Sequence, residues 1–308
     1  MKIHLLQKGL VFKMKKNAIS LQSSVVGRAN LRTYIRAAHE AGFDCIEPTK
    51  VQLEYFFNAG FTALDVKQLL GTLEVSSVGW LSDIERQGED FVALMKEAEN
   101  LFAMAASVGS HAVEIINGPV DWRAVDSFRR GVPFEGYMGL LGLPMEEQYR
   151  KVVKNLQVLA DLASQFQLTL FFEPLCWTPI PSLREGIPLV KRAERENLKV
   201  VVDFYHNYIS GLDGEFLSQI DKDLILGVHI CNSRKPDERV PCEEIFRDAG
   251  FYDGEIPIQE WVKAIQATGF QGWWAYETFS KREAEEEVGE FTKYVHCELK
   301  KLITPCPR

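Results

Sequence analysis

Four ionisable residues close four successive apolar runs in the second half of the chain. LTLFFEP ends at Glu173, KVVVDFYH carries Asp203, LILGVHICN carries His229 and GWWAYETF carries Glu277. Singly, each has an ordinary explanation: a glutamate at a strand end is usually a cap or a solvated rim residue, and a histidine inside a strand is usually a satisfied core side chain. Together they put three carboxylates and an imidazole at the same point of consecutive repeats, and ionised carboxylates are costly to bury unless a cation compensates them. Three oxygen donors and one nitrogen suit Mn2+, Mg2+ or Co2+, and Zn2+ also accepts such a set. An ion held this way polarises a ketone oxygen and the adjacent hydroxyl together, which acidifies the carbon-bound proton between them and stabilises the enediolate. Glu173 and Glu277, on strands three apart, then flank the substrate as base and acid. Returning the proton to the next carbon isomerises the substrate, and delivering it to the opposite face epimerises it. Expelling a β-hydroxyl or a glycosidic substituent from the same enediolate gives a dehydratase or a lyase.

These positions need a scaffold that brings the ends of parallel strands to one rim. Eight strand-like runs occur, at Ala18–Ser23, Asp44–Pro48, Glu74–Trp80, His111–Asn117, Leu168–Glu173, Leu198–Asp203, Leu224–Asn232 and Gly272–Glu277. Amphipathic stretches separate them: Leu31–Ala41, Ala63–Thr72, Glu89–Ser107, Met145–Gln165, Leu183–Glu196, a weak one around Glu215–Ile220, and Ile258–Thr268; Glu283–Leu302 closes the chain. Gly42 and Gly269 stand where helices exit into strands. Repeated βα units without a break in composition predict one (β/α)8 barrel over residues 16–308 rather than two domains. No GxGxxG follows the first strand, which removes the commonest open-sheet nucleotide fold. Residues 1–15 are basic, lack turn or strand patterning and are expected to be a poorly ordered or accessory leader that adds little stability. Two long inserts, Gly118–Pro144 and Ser233–Pro257, leave the ends of the fourth and seventh strands, on the rim where barrel active sites sit.

Composition narrows the partners. The 308 residues are 46% hydrophobic and 25% charged, so the chain can bury a full core without staples. A net charge of −8 repels phosphate backbones, so nucleic acid is not an expected partner. No apolar run reaches the roughly 18 residues of a membrane span, and the N-terminal stretch lacks the apolar core of a signal peptide. The six cysteines form no CxxC pair and read as buried thiols of a cytoplasmic protein. Aromatics near the rim (Trp80, Trp122, Trp177, Phe204, Tyr205 and Tyr276) suit a sugar or polyol pocket or barrel core. Phe134, Tyr137, Met138, Leu140 and Leu141 of the first insert are expected to form an apolar patch for a homo-oligomer.

The order Glu in FFEP, Asp and His in DFYH, His in GVHICN and Glu in YET resembles the xylose-isomerase-like superfamily of sugar phosphate isomerases and epimerases, over about residues 18–302. The resemblance implies a TIM barrel binding one divalent metal through Glu173, Asp203, His229 and Glu277. It implies substrate contacts from His206 and from Arg247 in EIFRDAGFYDGEIPI. The activity it implies is a metal-dependent isomerase or epimerase of a keto-sugar or polyol. A lyase or dehydratase acting on a keto-inositol, a 3-keto-glycoside or dehydroshikimate is the alternative, and an endonuclease IV-like nuclease is a third. Two departures stand out: the second glutamate of the 3-epimerases is Pro179 here, and the histidines that accompany extra metals in endonuclease IV are absent. Glu47 and Glu114 end the second and fourth strands, where they are placed to line the pocket; both are left outside the ligand set, and Glu47 is read as a structural cap.

Overall fold

The computed structural model describes residues 14–304. Eight parallel strands close into a barrel in chain order: β1 (Ile19–Gln22), β2 (Cys45–Glu47), β3 (Glu74–Leu81), β4 (Ser110–Ile116), β5 (Thr169–Glu173), β6 (Leu198–Asp203), β7 (Ile225–Ile230) and β8 (Trp273–Tyr276). β1 pairs with β8 to complete the ring. Helices alternate with the strands and cover the outside, so nearly every strand residue is buried and the strands read as continuous apolar runs. This is the expected (β/α)8 barrel. Among the described residues no helix is long and apolar enough to cross a membrane.

Strand alternation decides what lies under the site. Cys45, Ala112, Phe171 and Val201 precede Glu47, Glu114, Glu173 and Asp203 by two residues. Ala18 and Trp273 precede Gln22 and Glu277 by four, so all point to the same interior. These six form a buried apolar layer of their own, joined by Met14 and Leu226. The seventh strand contributes Gly227 to that layer. A Cβ there would stand 2.4 Å from the Trp273 indole, so the glycine makes room for the tryptophan. The polar residues of the rim therefore stand on a dry, filled floor. Of the expected leader, residues 1–13 lie outside the described residues. Met14 packs on the floor layer, and Lys15 pairs with Asp44 at 2.7 Å.

The first long insert is more structured than a bare loop. It contains a helix, Trp122–Arg130, capped by Asp121. Leu140 is buried, and Phe134, Tyr137, Met138 and Leu141 are partly covered. The loop folds back because its start is tied down: the Gly118 N–H donates to Glu85 Oε2 at 2.7 Å, and the Val120 N–H donates to Asp83 Oδ1 at 2.9 Å. Burial pushes the Glu85 carboxyl up to about 7. A folded-state value above the unfolded one means the native state holds the proton more tightly. Stability is then greatest below the unfolded value and is lost as pH rises towards the folded one. Glu85→Gln keeps an acceptor without the charge. The variant should melt a few degrees above the native chain at pH 8, from ~1–3 kcal/mol of relieved charge burial, and the gap should close near pH 5. Melting curves across this range check it; a lower melting point at pH 8 would show that the charged form is the stabilising one.

Candidate metal centre

The ends of β5, β6, β7 and β8 bring Glu173, Asp203, His229 and Glu277 together. All four are buried, and one donor atom from each lies within 4.8 Å of the others. Each member is held differently. Asp203 ends β6 and caps the next helix, Phe204–Ile209, accepting the His206 N–H on Oδ1 at 2.8 Å. His229 turns Nε2 to Glu47 Oε2 at 3.0 Å, which leaves Nδ1 facing the cluster. That nitrogen is 3.4 Å from Glu277 Oε2 and 3.9 Å from Glu173 Oε1. Glu277 accepts from Gln22 Nε2 at 2.8 Å. Glu114, from β4, stands beside Glu173, and Gly79 of β3 admits it: a Cβ there would lie 2.8 Å from Glu114 Oε2.

The donor set fits a divalent cation. Glu173 Oε1 and His229 Nδ1 are buried with no hydrogen-bond partner, and both face the centre of the cluster. Unmet buried polar atoms are rare, and two aimed at one point call for a shared partner. Acidic groups also outnumber the local positive charge, with Glu47, Glu114, Glu173, Asp203, Glu243 and Glu277 gathered around one arginine, Arg247. Burial, reinforced by Glu114, pushes Glu173 well above the ordinary carboxylate range, and burial raises Glu114 itself to about 8. Burial opposes charge on His229, but Glu277 and Glu47 outweigh it and raise the imidazole well above its ordinary value. A metal ion bound here would replace that proton, since only the neutral imidazole is a ligand.

His206 and Arg247, the expected substrate residues, also reach the cluster. His206 accepts the Cys176 N–H on Nδ1 at 3.3 Å, so Nε2 carries the proton and points inward, 3.9 Å from Glu173 Oε1 and 3.7 Å from Glu243 Oε1. Burial lowers it to about 4, so it is a neutral donor. Arg247 is fully buried. Its Nη2 lies 2.6 Å from both Asp203 Oδ2 and Glu277 Oε2, and its Nη1 lies 2.7 Å from Glu243 Oε1. It therefore shares two carboxylates with any ion in the cluster. Of the rim aromatics, Trp177 packs edge-on to His206 at 5.6 Å, while Phe204, Tyr205 and Tyr276 are core. Trp80 remains half exposed at the rim.

Sequence reasoning passed over Gln22 and Glu243 and took Glu47 for a structural cap. Glu47 is the clearest case, because it is the hydrogen-bond partner of a metal-ligand candidate rather than a plain cap. Such partners fix the ring and raise its basicity. Glu47→Ala should weaken divalent-metal affinity about 10- to 100-fold while leaving one site per chain, as read by competition with a chromophoric chelator. An unchanged affinity would mean that packing against Phe171 alone orients His229.

The sequence profile of the xylose isomerase-like TIM barrel family matches residues 35–294. The chain belongs to that family. No curated protein matches it in sequence. Several solved structures share its fold. One is the IolI protein with a bound zinc atom, at TM-score 0.78 and 15% identity, covering 93% of this chain and 98% of that one. L-ribulose 3-epimerase superposes with TM-score 0.70 at 17% identity, covering 93% and 94%. The 3-keto-D-glucoside 4-epimerase YcjR of E. coli gives TM-score 0.67 at 19% identity, covering 94% and 100%.

Proposed function

We propose that this protein is a divalent-metal-dependent isomerase or epimerase of a keto-sugar or polyol. The observation that carries the reading is the pair of unmet buried atoms, Glu173 Oε1 and His229 Nδ1, facing each other across a four-residue donor set at the barrel rim. The solved structures of like fold support it, since they include two sugar epimerases and a zinc-bound protein. Glu173, Asp203, His229 and Glu277 hold the ion. When bound, the ion supplies a Lewis acid that polarises a carbonyl and its neighbouring hydroxyl.

The protein's own part is asymmetric. Both oxygens of Glu277 are engaged, one by Gln22 and one by Arg247, so it remains a carboxylate. Glu173 has an oxygen without a hydrogen-bond partner and no arginine or lysine in contact, only the imidazoles of His206 and His229 at 3.9 Å. Glu173 is therefore the group that takes a proton from the carbon beside the carbonyl. His206 Nε2–H and the Arg247 guanidinium hold substrate hydroxyls. The wall of Trp177 and the filled floor keep bulk water from the proton being moved.

The test is solvent-deuterium incorporation. Metal-loaded protein should place deuterium on the carbon next to the carbonyl of a keto-sugar or keto-inositol, and a chelator should stop it. Absence of exchange across free and substituted keto-sugars would overturn the reading.

A further inference from the structure

A hollow of about 870 Å³ opens beside the cluster, between the segment after β1 and the helix Lys50–Asn58. Gln22 and Glu277 line its inner end, and they are hydrogen-bonded to each other within the cluster. Phe279, on its wall, lies 4.9 Å from the Arg247 guanidinium. The hollow is thus continuous with the metal centre.

Its walls are apolar where a ligand would meet them. Val51, Tyr55, Phe61, Trp80 and Phe279 all line it, and they are five of the twelve exposed large apolar side chains among the described residues. Solvent-exposed apolar side chains gathered in one concave place mark a binding surface. The neutral polar residues of the lining are largely engaged with the protein, and Arg28 and Arg32 stand exposed at its edge. Gln52 and Thr49 satisfy each other's backbone in a capping box, Asn30 accepts the Thr33 N–H, and Ser24 accepts the Thr278 N–H. Sugar hydroxyls would therefore find few partners along the apolar wall, which favours an apolar ring over a second sugar there. Flat partners suit it better. Phe56 and Phe61 stack at 4.5 Å, and the Arg32 guanidinium lies 4.4 Å from the Phe61 ring centre, so the wall already gathers planar groups.

We propose that the hollow binds an aromatic substituent of the substrate, so that the compound acted on is a keto-glycoside with an aromatic aglycone rather than a free sugar. This rests on the keto-sugar reading for the sugar half alone. The sugar ring lies on Glu173, His206 and Arg247, and the aglycone passes Glu277 into the hollow, against Trp80 and Phe279.

The test compares phenyl and methyl β-D-glucoside on the intact metal-loaded protein by titration calorimetry. The phenyl compound should bind at least about tenfold tighter, as expected for burying one ring. The Trp80 indole N–H resonance, assigned with Trp80→Phe, should shift with the phenyl compound only. Trp80→Ala should remove the preference, and since Trp80 is half exposed, the variant should fold; Phe279→Ser provides a second wall variant. Equal affinity for the two glucosides, or a phenyl preference that survives both variants, overturns the proposal. So does a dimer in sedimentation that Tyr55→Lys dissociates, because the hollow is then a subunit contact. The two readings fail separately. A ring preference without deuterium exchange in any keto-sugar leaves the hollow standing and removes the reaction; exchange that is equally fast with free and aryl-substituted keto-sugars does the reverse.

Discussion

Glu173→Gln should retain its metal, with weakened affinity, and lose two to four orders of magnitude in turnover, the range typical of a missing general base. The amide oxygen remains able to coordinate, but no amide accepts a proton from carbon. Glu277 cannot take over readily, because Gln22 and Arg247 occupy its oxygens. Folding should not suffer. Glu173 and Glu114 are neighbouring buried carboxylates, and replacing one by a neutral amide removes like-charge repulsion. Metal content by elemental analysis, the melting temperature and the single-turnover rate together separate the outcomes. A melting point at or above that of the native chain with bound metal and lost turnover supports Glu173 as the base. Bound metal with near-normal turnover makes Glu173 a ligand only and moves the base to Glu277, His206 or Glu114.

The barrel was legible because its strands are buried on both faces, so each appears as a short apolar run that a polar residue stops at the rim. The run ending in Glu173 coincides with β5 and that ending in Asp203 with β6. What escaped were elements whose signal is local chemistry rather than periodicity. The helix Lys50–Asn58 is only weakly amphipathic, yet Thr49 and Gln52 form a capping box that a closer reading of the spacing would have found. The helix Trp122–Arg130 starts at the N-cap Asp121 inside a stretch whose glycines and prolines suggested only a loop.

The site divides the same way. Its four candidate ligands share a position in successive repeats, so the sequence displays them as a set. Their supports do not. Glu47 meets His229 across 182 residues and Gln22 meets Glu277 across 255, through barrel closure alone. No pattern within either segment announces such a partner. The apolar residues of the Gly118–Pro144 insert pose a related problem: composition shows that a loop carries apolar side chains but not how far each is covered. Tethering through Asp83 and Glu85 decides that, and both lie on a different connection.

Asp203→Ala should abolish stoichiometric metal binding, and with it all exchange activity. Asp203 supplies one of four donors, and the two oxygens it brings cannot be replaced by its neighbours: Glu277 is bonded on both sides and His229 offers a single nitrogen. The substitution also has a structural cost that must be told apart from metal loss. It removes the cap on the His206 N–H, worth about 1 kcal/mol, and one of three carboxylates around the buried Arg247. Because Glu277 and Glu243 still hold that guanidinium, the loss should stay below the ~3–5 kcal/mol of a fully broken buried pair. Asp203→Asn separates the effects, since its side-chain oxygen still caps the helix but the ionic ligand is gone. The readout is thermal. A ligand that binds only the native state raises the melting temperature as its concentration rises, so added Mn2+, Co2+ or Zn2+ should stabilise the native chain. Asp203→Ala should show no such rise at any concentration, whereas Asp203→Asn should show it only at much higher metal. If Asp203→Ala keeps one equivalent of metal and the full thermal shift, the ion sits elsewhere, and Arg247 rather than a metal is the charge that Asp203 and Glu277 were built to hold.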